Sequence, residues 1–538
     1  MSSNIFKVSL VAATVAASFG ANAALYNVYL EAPEGTSSSL QTYGVAIAPN
    51  ATVCWSNACS ESTSVMATEV KRYREGYQYR DESPFFLPFG WTYLDDNYDG
   101  FRSYCRNFLG YTDSLCEKWA DKQYTQGYAN EKGGNYAGSI AYVDGSVVKS
   151  GLNTVVNTLI DDSGIKAVGS AQDSAITSYR SMKGFVDGTD FNDGGDTEIV
   201  AAQYWTKKTL TAGTFITGSV SRDNISVGNK DIITSKPTVW KDADPADEIT
   251  WAGGNTENGD SKAQGSVRDI IEDSGDTTKL YAVGYTSDSD VRLKAAVFKS
   301  TDSGDSWSTG TLVGGFPYDS SEYANQTLKA VNDNKIAIGT AKLNRSQNGA
   351  YANTLFYVNN LDSPTYKAFS GSIFFTGANG KAGNINNHND VVGTIDFETH
   401  KETGGSPRAK RAFIANLGTT SDSAPIGGVA RYLDDLTYGS GASTNNNQYR
   451  IIEAADINDA GIIAATALYC SGGFDSEAID ADCSSGGSYV GVKLVPINGQ
   501  TANDISARPV AQETIERQGG TIGFITLTLL GLLGFRKK

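Results

Sequence analysis

The sequence predicts an all-β-dominated chain: a β-propeller of six or seven blades built from repeats of ~55 residues, with a small helical, disulfide-pinned N-terminal insertion. Three observations lead there. Gly is abundant at 58 and Pro scarce at 12, and short β-branched or aromatic runs alternate with Gly, Asn, Asp and Ser, the texture of strands and turns. A phrase recurs, clearest at Val331-Asn332-Asp333-Asn334-Lys335-Ile336-Ala337-Ile338-Gly339. An apolar or aromatic strand follows each copy some 11 to 25 residues later.

Counterparts of the phrase start at Val220, Ile385 and Ile457, with a longer version at Ile160 and a looser one closing at Tyr281-Ala282-Val283-Gly284. Each reads as a tight hairpin. An apolar residue ends one strand, Asn or Asp side chains bond their own backbone and reverse it, and an apolar run starts the next strand. The closing residues Gly169, Gly228, Gly284, Gly339, Gly393 and Ala465 stand 59, 56, 55, 54 and 72 apart, so the last interval needs an insertion. The strands that follow are Phe185-Val186, Val239-Trp240, Val297-Phe298, Leu355-Phe356-Tyr357, Phe413-Ile414 and Tyr489-Val490. Repeats of this size point to propellers or solenoids, and radial closure removes most exposed sheet edges. A strand around Tyr43 to Ala48 completes a blade or adds a seventh.

Ser300-Thr301-Asp302-Ser303-Gly304-Asp305-Ser306-Trp307 resembles the Asp-box, S-x-D-x-G-x-T-W, with Ser306 in the Thr place. That resemblance implies a structural hairpin cap on a propeller blade, found in sialidases and in many non-enzymes. The repeat phrase resembles the HAF-type extracellular repeats of bacteria. The whole layout is similar to an uncharacterised exported gammaproteobacterial family, a domain of unknown function, which brings no assigned activity and no catalytic residues.

The ends read as export signals. Lys7, the small and apolar stretch Val8 to Phe19, and Ala21-Asn22-Ala23 have the layout of a signal peptide cut after Ala23; a buried first helix is the alternative. At the other end Gly519-Gly520 precede the apolar Thr521 to Phe535 and the basic Arg536-Lys537-Lys538. Fifteen apolar-rich residues fall short of the roughly 20 that span a bilayer, which favours a transient tether over a stable anchor. The cations would stay cytoplasmic, leaving the body outside. This order resembles the GlyGly-CTERM sorting tail, which implies a transmembrane precursor, cleavage by a rhomboid-type protease and delivery to the cell surface or medium.

The expected organisation is a signal peptide (1–23), N-terminal strands (24–61), an aromatic-rich helical insertion (62–136), the repeat propeller (137–500), a linker (501–518) and the sorting tail (519–538). Removing both ends leaves 40 basic and 60 acidic residues, a net −20. So acidic a body disfavours nucleic acid and anionic lipid and favours cations or neutral ligands. The six cysteines allow fifteen connectivities; local pairing, Cys54–Cys59, Cys105–Cys116 and Cys470–Cys483, is expected in an oxidising compartment. With no CxxC and only two histidines, a zinc site is not expected. Within the insertion, Glu69 to Tyr79 and Asp113 to Tyr124 carry helical spacing, and the aromatics between Tyr73 and Tyr136 fill its core or offer stacking faces to sugars.

Three constellations bear on chemistry. Asp95, Asn97 and Asp99 before Gly100 are calcium candidates, the first half of an EF-hand-type loop, but Arg106 stands where the bidentate acid belongs; a plain acidic turn is the alternative. Asp187, Asp190, Asn192, Asp193 and Asp196 form either a cation cradle or a solvated loop. His388 falls in a repeat turn and His400 in the loop after it, neither with a serine or cysteine in a recognisable motif, so a histidine-based triad is not expected. No cofactor is expected beyond a calcium ion. The chain thus reads as a non-catalytic, secreted or cell-surface binding protein for a glycan or surface protein. The alternative is a secreted carbohydrate-active enzyme using paired acids, whose separation sequence does not measure.

Overall fold

The β-rich stretches fold into four-stranded antiparallel meanders, in which successive strands pair side by side. A computed structural model describes residues 23–33, 41–71, 96–172, 182–190, 196, 198–222, 224–227, 230–242, 245–259, 261–418 and 424–511. Seven such sheets form a seven-bladed propeller. Blades 1 to 6 begin with Gln41–Ile47, Thr154–Asp161, Ala201–Leu210, Ser266–Asp273, Tyr323–Val331 and Gly380–Ile385. Blade 7 runs Tyr449–Ile457, Ile463–Cys470, Gly487–Pro496, and takes its fourth strand, Tyr26–Leu30, from the N-terminal end. First strands touch in ring order, and the ring closes where blade 7 meets blade 1. The stretch around Tyr43 therefore opens a blade of its own.

Each blade-to-blade junction holds an apolar core. Between blades 5 and 6, for example, Ile338 and Leu355 pack on Val391 and Phe413; between 3 and 4, Phe215 and Val239 meet Ile270 and Leu280. Every first strand carries a β-bulge, at Val45, Asn157, Trp205, Arg268, Lys329, Gly383–Asn384 and Ile452. The bulge bends the inner strand and drives a carbonyl toward the second strand. This explains the closing glycines. A Cβ on Gly339 would sit 2.3 Å from the Thr327 carbonyl oxygen and 2.7 Å from the Phe356 ring. All six aromatic signals lie on third strands.

The phrases at Ile160, Val331, Ile385 and Ile457 straddle the turn between first and second strands. The copy at Val220 does not: it sits at the end of the second strand of blade 3, Gly213–Ser221, and Gly218 holds the glycine place there, under Trp240. The even spacing through Gly228 is thus a coincidence of loop lengths. The Tyr281–Gly284 copy is the second strand of blade 4 itself.

Three boundaries shift. Glu69–Lys71 belong to the strand Met66–Lys71, not a helix. Glu69 is buried because its carboxylate accepts the Val156 N–H of blade 2 at 2.8 Å; residues 72–79 lie outside the described set. The propeller starts at residue 26, not 137. Residues 501–511 fold back on blades 6 and 7 as no linker would: Arg508 is 3 % exposed and bonds Asp434, Asp435 and Glu477. The helices Asn97–Tyr104 and Asp113–Ala120, each continued by a π-helical stretch, form the insertion. All three local disulfides are formed.

Candidate functional site

Antiparallel order puts the second-to-third connections of all blades on one face and the first-to-second turns on the other. The first face carries the long insertions. The helical lobe leaves blade 1 after Lys71 and re-enters it at Ala141–Val143, yet it docks on blades 4 to 6. Tyr285 and Leu293 of blade 4 join its core of Phe101, Tyr104 and Trp119. Lys342 of blade 5 donates to the carbonyls of Phe108 (2.8 Å) and Tyr351, and Gly404 N–H of blade 6 donates to Gly110 O at 2.7 Å. Blades 4 and 5 lie opposite blade 1 in the ring, so the insertion links opposite sides of this face. Burial pushes the Lys342 ammonium down to about 7.

On the same face, the connection after Ile463–Cys470 is closed by Cys470–Cys483 and walls a cleft of about 540 Å³. Its floor is Arg450, 1 % exposed, with the guanidinium 3.9 Å over the Phe474 ring. Asn445, Gln448, Ser471, Ser476 and Glu477 line the rim. Arg450 donates to the carbonyls of Ala478, Asn447, Tyr449 and Ser476, at 2.9 to 3.2 Å. Desolvation lowers it to about 10. Glu477 accepts the Tyr438 hydroxyl at 2.6 Å.

Burial raises the carboxyls of Asp390, Asp434 and Asp456, and pushes Asp396 and Asp435 up to about 6. None of them lines this cleft. Each is committed to backbone: Asp390 to Ala424 N, Asp396 to Asn379 N, Asp434 to Ile451 N, Asp435 to Arg508 N and Asp456 to Ile47 N. Sequence reasoning missed this set, since the acids come from scattered positions with no common spacing.

Of the calcium candidates, Asp95 lies outside the described residues. Asn97 and Asp99 occupy the first turn of a helix, and the Asn97 carbonyl oxygen accepts Tyr124 Oη and Lys132 Nζ. No group of three His, Cys, Asp or Glu side chains able to hold a metal is found among the described residues. In the second constellation, Asp190 pairs with Lys149 and Asp196 with Arg222, while Asp187 opens a turn with φ 52°; Asn192 and Asp193 lie outside the described residues. His388 N–H donates to Asn386 Oδ1 in its turn.

His400 has neighbours that no motif announced. Its Nε2 is 3.5 Å from Ser406 Oγ, and its Nδ1 3.5 Å from Glu398 Oε2, the order of a Ser-His-Glu relay. Nε2 is nearer the Ser406 carbonyl oxygen, at 3.1 Å, a contact that requires a proton on Nε2. The nitrogen that would take the serine proton is therefore occupied. The Asp-box caps the turn after the third strand of blade 4: Asp302 accepts the Ser306 hydroxyl on Oδ2, and Ser300 Oγ and Ser306 N on Oδ1, which holds the carboxyl down to about 2. Ala23 pairs with Ser440, whereas Gly519, Gly520 and the tail lie outside the described residues. Among the described residues no helix is long and apolar enough to cross a membrane.

No curated protein matches the chain in sequence. Among solved structures, it is similar to a protein of unknown function from Dyadobacter fermentans DSM 18053, at 9 % identity and TM-score 0.36, over 87 % of this chain and 98 % of that one. It is also similar to an α-L-arabinanase of Penicillium chrysogenum (8 %, 0.30, 89 % and 98 %) and to a polysaccharide lyase, an ulvan lyase (11 %, 0.30, 58 % and 78 %). Likeness this weak carries no argument about activity. The family described as "Protein of unknown function (DUF3466)" matches residues 271–538, from the first strand of blade 4 to the last residue.

Proposed function

We propose that the chain is an exported, non-catalytic propeller that binds a ligand on its lobe-bearing face, in the blade 7 cleft. One observation carries this reading: among the described residues the cleft is lined by a single carboxylate, Glu477, while the acids with raised pKa are tied to backbone amides elsewhere. Paired-acid hydrolysis needs two carboxyl groups facing one substrate. A rigid ring with variable loops suits recognition. The test is to incubate the purified protein with glycan substrates while measuring binding to the same compounds. Binding without product supports the reading, and turnover overturns it.

Export belongs to the proposal. Three disulfides suit an oxidising compartment, and the Ala21-Asn22-Ala23 and Gly519-Gly520 sites support processing by signal peptidase and a rhomboid-type protease on the way to the cell surface or medium. Replacing Gly519 and Gly520 by valine should leave an uncleaved precursor in the membrane fraction. Normal release of that variant would sink the sorting reading.

A further inference from the structure

Resting on the binding reading above, we infer that the blade 7 cleft takes a neutral oligosaccharide. The rim offers three carboxamides (Asn445, Asn447, Gln448), two hydroxyls (Ser471, Ser476) and one carboxylate (Glu477). Amides and hydroxyls both donate and accept, and a carboxylate accepts two hydroxyls at once, which is what vicinal diols require. The volume, about 540 Å³, accommodates a short saccharide.

The floor speaks against an anionic ligand. Arg450 would be the anion clamp, but its Nε and both terminal nitrogens already donate to four backbone carbonyls and its face is stacked on Phe474. It holds the loop in place. The carboxylate at the rim and a net charge of −16 repel uronates, sulfated glycans and nucleic acid.

The site is also preorganised. Cys470–Cys483 closes the loop, Phe474 bridges to Cys483, and Asp475 N–H and Asp482 N–H bond across it at 3.0 and 3.2 Å. Tyr438 fixes the Glu477 carboxylate. Little ordering entropy is then lost on binding.

The experiment is an array of neutral, uronate-bearing and sulfated oligosaccharides probed with the full chain, followed by titration calorimetry on the hits. Two variants accompany it: Ser476→Trp, which fills the cleft from an exposed position, and Glu477→Gln. Binding to neutral glycans alone is expected, weakened about tenfold or more by either change, with melting curves like the wild type. Binding to no neutral glycan, or a preference for anionic ones, overturns the inference. If neutral glycans bind and both variants bind equally well, the cleft assignment falls while the binding function stands. If the wild type turns the glycan over and Ser476→Trp abolishes this, the non-catalytic reading falls and the cleft assignment stands.

Discussion

In blades 5 to 7 the turn between first and second strands carries Asn332, Asn386 and Asn458, 3 to 7 % exposed, whereas the same turns of blades 2 to 4 use Asp162, Thr211 and Asp273. Each Asn holds its own turn through Oδ1, which accepts the N–H four residues on (Ile336, Asp390, Ile462). Each also reaches the next blade through Nδ2: Asn332 to Asn386 O, Asn386 to Asn458 O, and Asn458 to Ala48 O in blade 1. In the other half, Asp162 pairs with Lys207, Thr211 bonds Glu272, and Asp273 pairs with Lys335. A neutral amide donates and accepts at once, so it can be buried and still serve two blades. A charged pair loses hydration when buried, so one partner keeps contact with water, as Lys335 does beside the buried Asp273. One ring is therefore stapled by two chemistries, and the repeated phrase spans both: its blade 2 copy at Ile160 carries aspartates where blades 5 to 7 carry asparagine.

The comparison breaks most easily at the ladder. Asn386→Ala removes one amide and leaves the Asp390 N–H without its acceptor, so a loss of about 3 kcal/mol is expected in urea unfolding. A loss well under about 1 kcal/mol would show that the ladder does not hold the blades. The lobe is a third device, pinned by Cys105–Cys116. Replacing both cysteines by alanine should cost about 2 to 3 kcal/mol, read as increased proteolysis and amide exchange within 97–132 while the blades keep their protection.

The Lys342 clamp adds a pH signature. Its pKa is depressed from 10.5 to about 7 in the fold. Between pH 7 and 10.5 the unfolded chain binds a proton that the folded chain does not, so its contribution rises with pH across that window. Lys342→Met should flatten the rise by about 1 to 2 kcal/mol between pH 7 and pH 9, seen as urea midpoints of the two proteins converging or crossing. The smallest effect is expected at the charged staples, where the lysine keeps about a third of its side chain in water. Lys335→Gln should cost about 0.5 kcal/mol, and the difference should fade in concentrated salt. Asp273 is held below 3.8 chiefly by that lysine, so the pair's contribution is present above pH 3.8 and is lost as pH falls through the folded value.

Much of the fold was legible because propeller geometry repeats the same local needs. Glycine at 169, 284, 339 and 393 answers the bulged carbonyl of the first strand, and Phe185, Phe356 and Phe413 lie opposite Gly169, Gly339 and Gly393. Blade 3 was misread because its turn, Thr211-Ala212, is bare of Asn and Asp while an Asn-rich ribbon follows its second strand. The cleft was less legible. Arg450 sits inside a strand and Ser476 in a loop, and neither has a motif; what joins them is the fold of the Cys470–Cys483 connection over the first strand of the same blade.

By itself the sequence determined the strand-and-turn composition, most of the repeat turns and the acidic balance, and it favoured local cysteine pairing, because hairpins, short disulfide loops and charge depend on residues close in the chain. Tertiary structure alone decided that blade 7 is completed by Tyr26–Leu30, that the blade 1 insertion caps blades 4 to 6, and that Asn445, Arg450 and Glu477 share a cleft. The first two join positions far apart in sequence and follow from closing the ring, whereas the cleft forms where the Cys470–Cys483 connection folds over the first strand of its own blade.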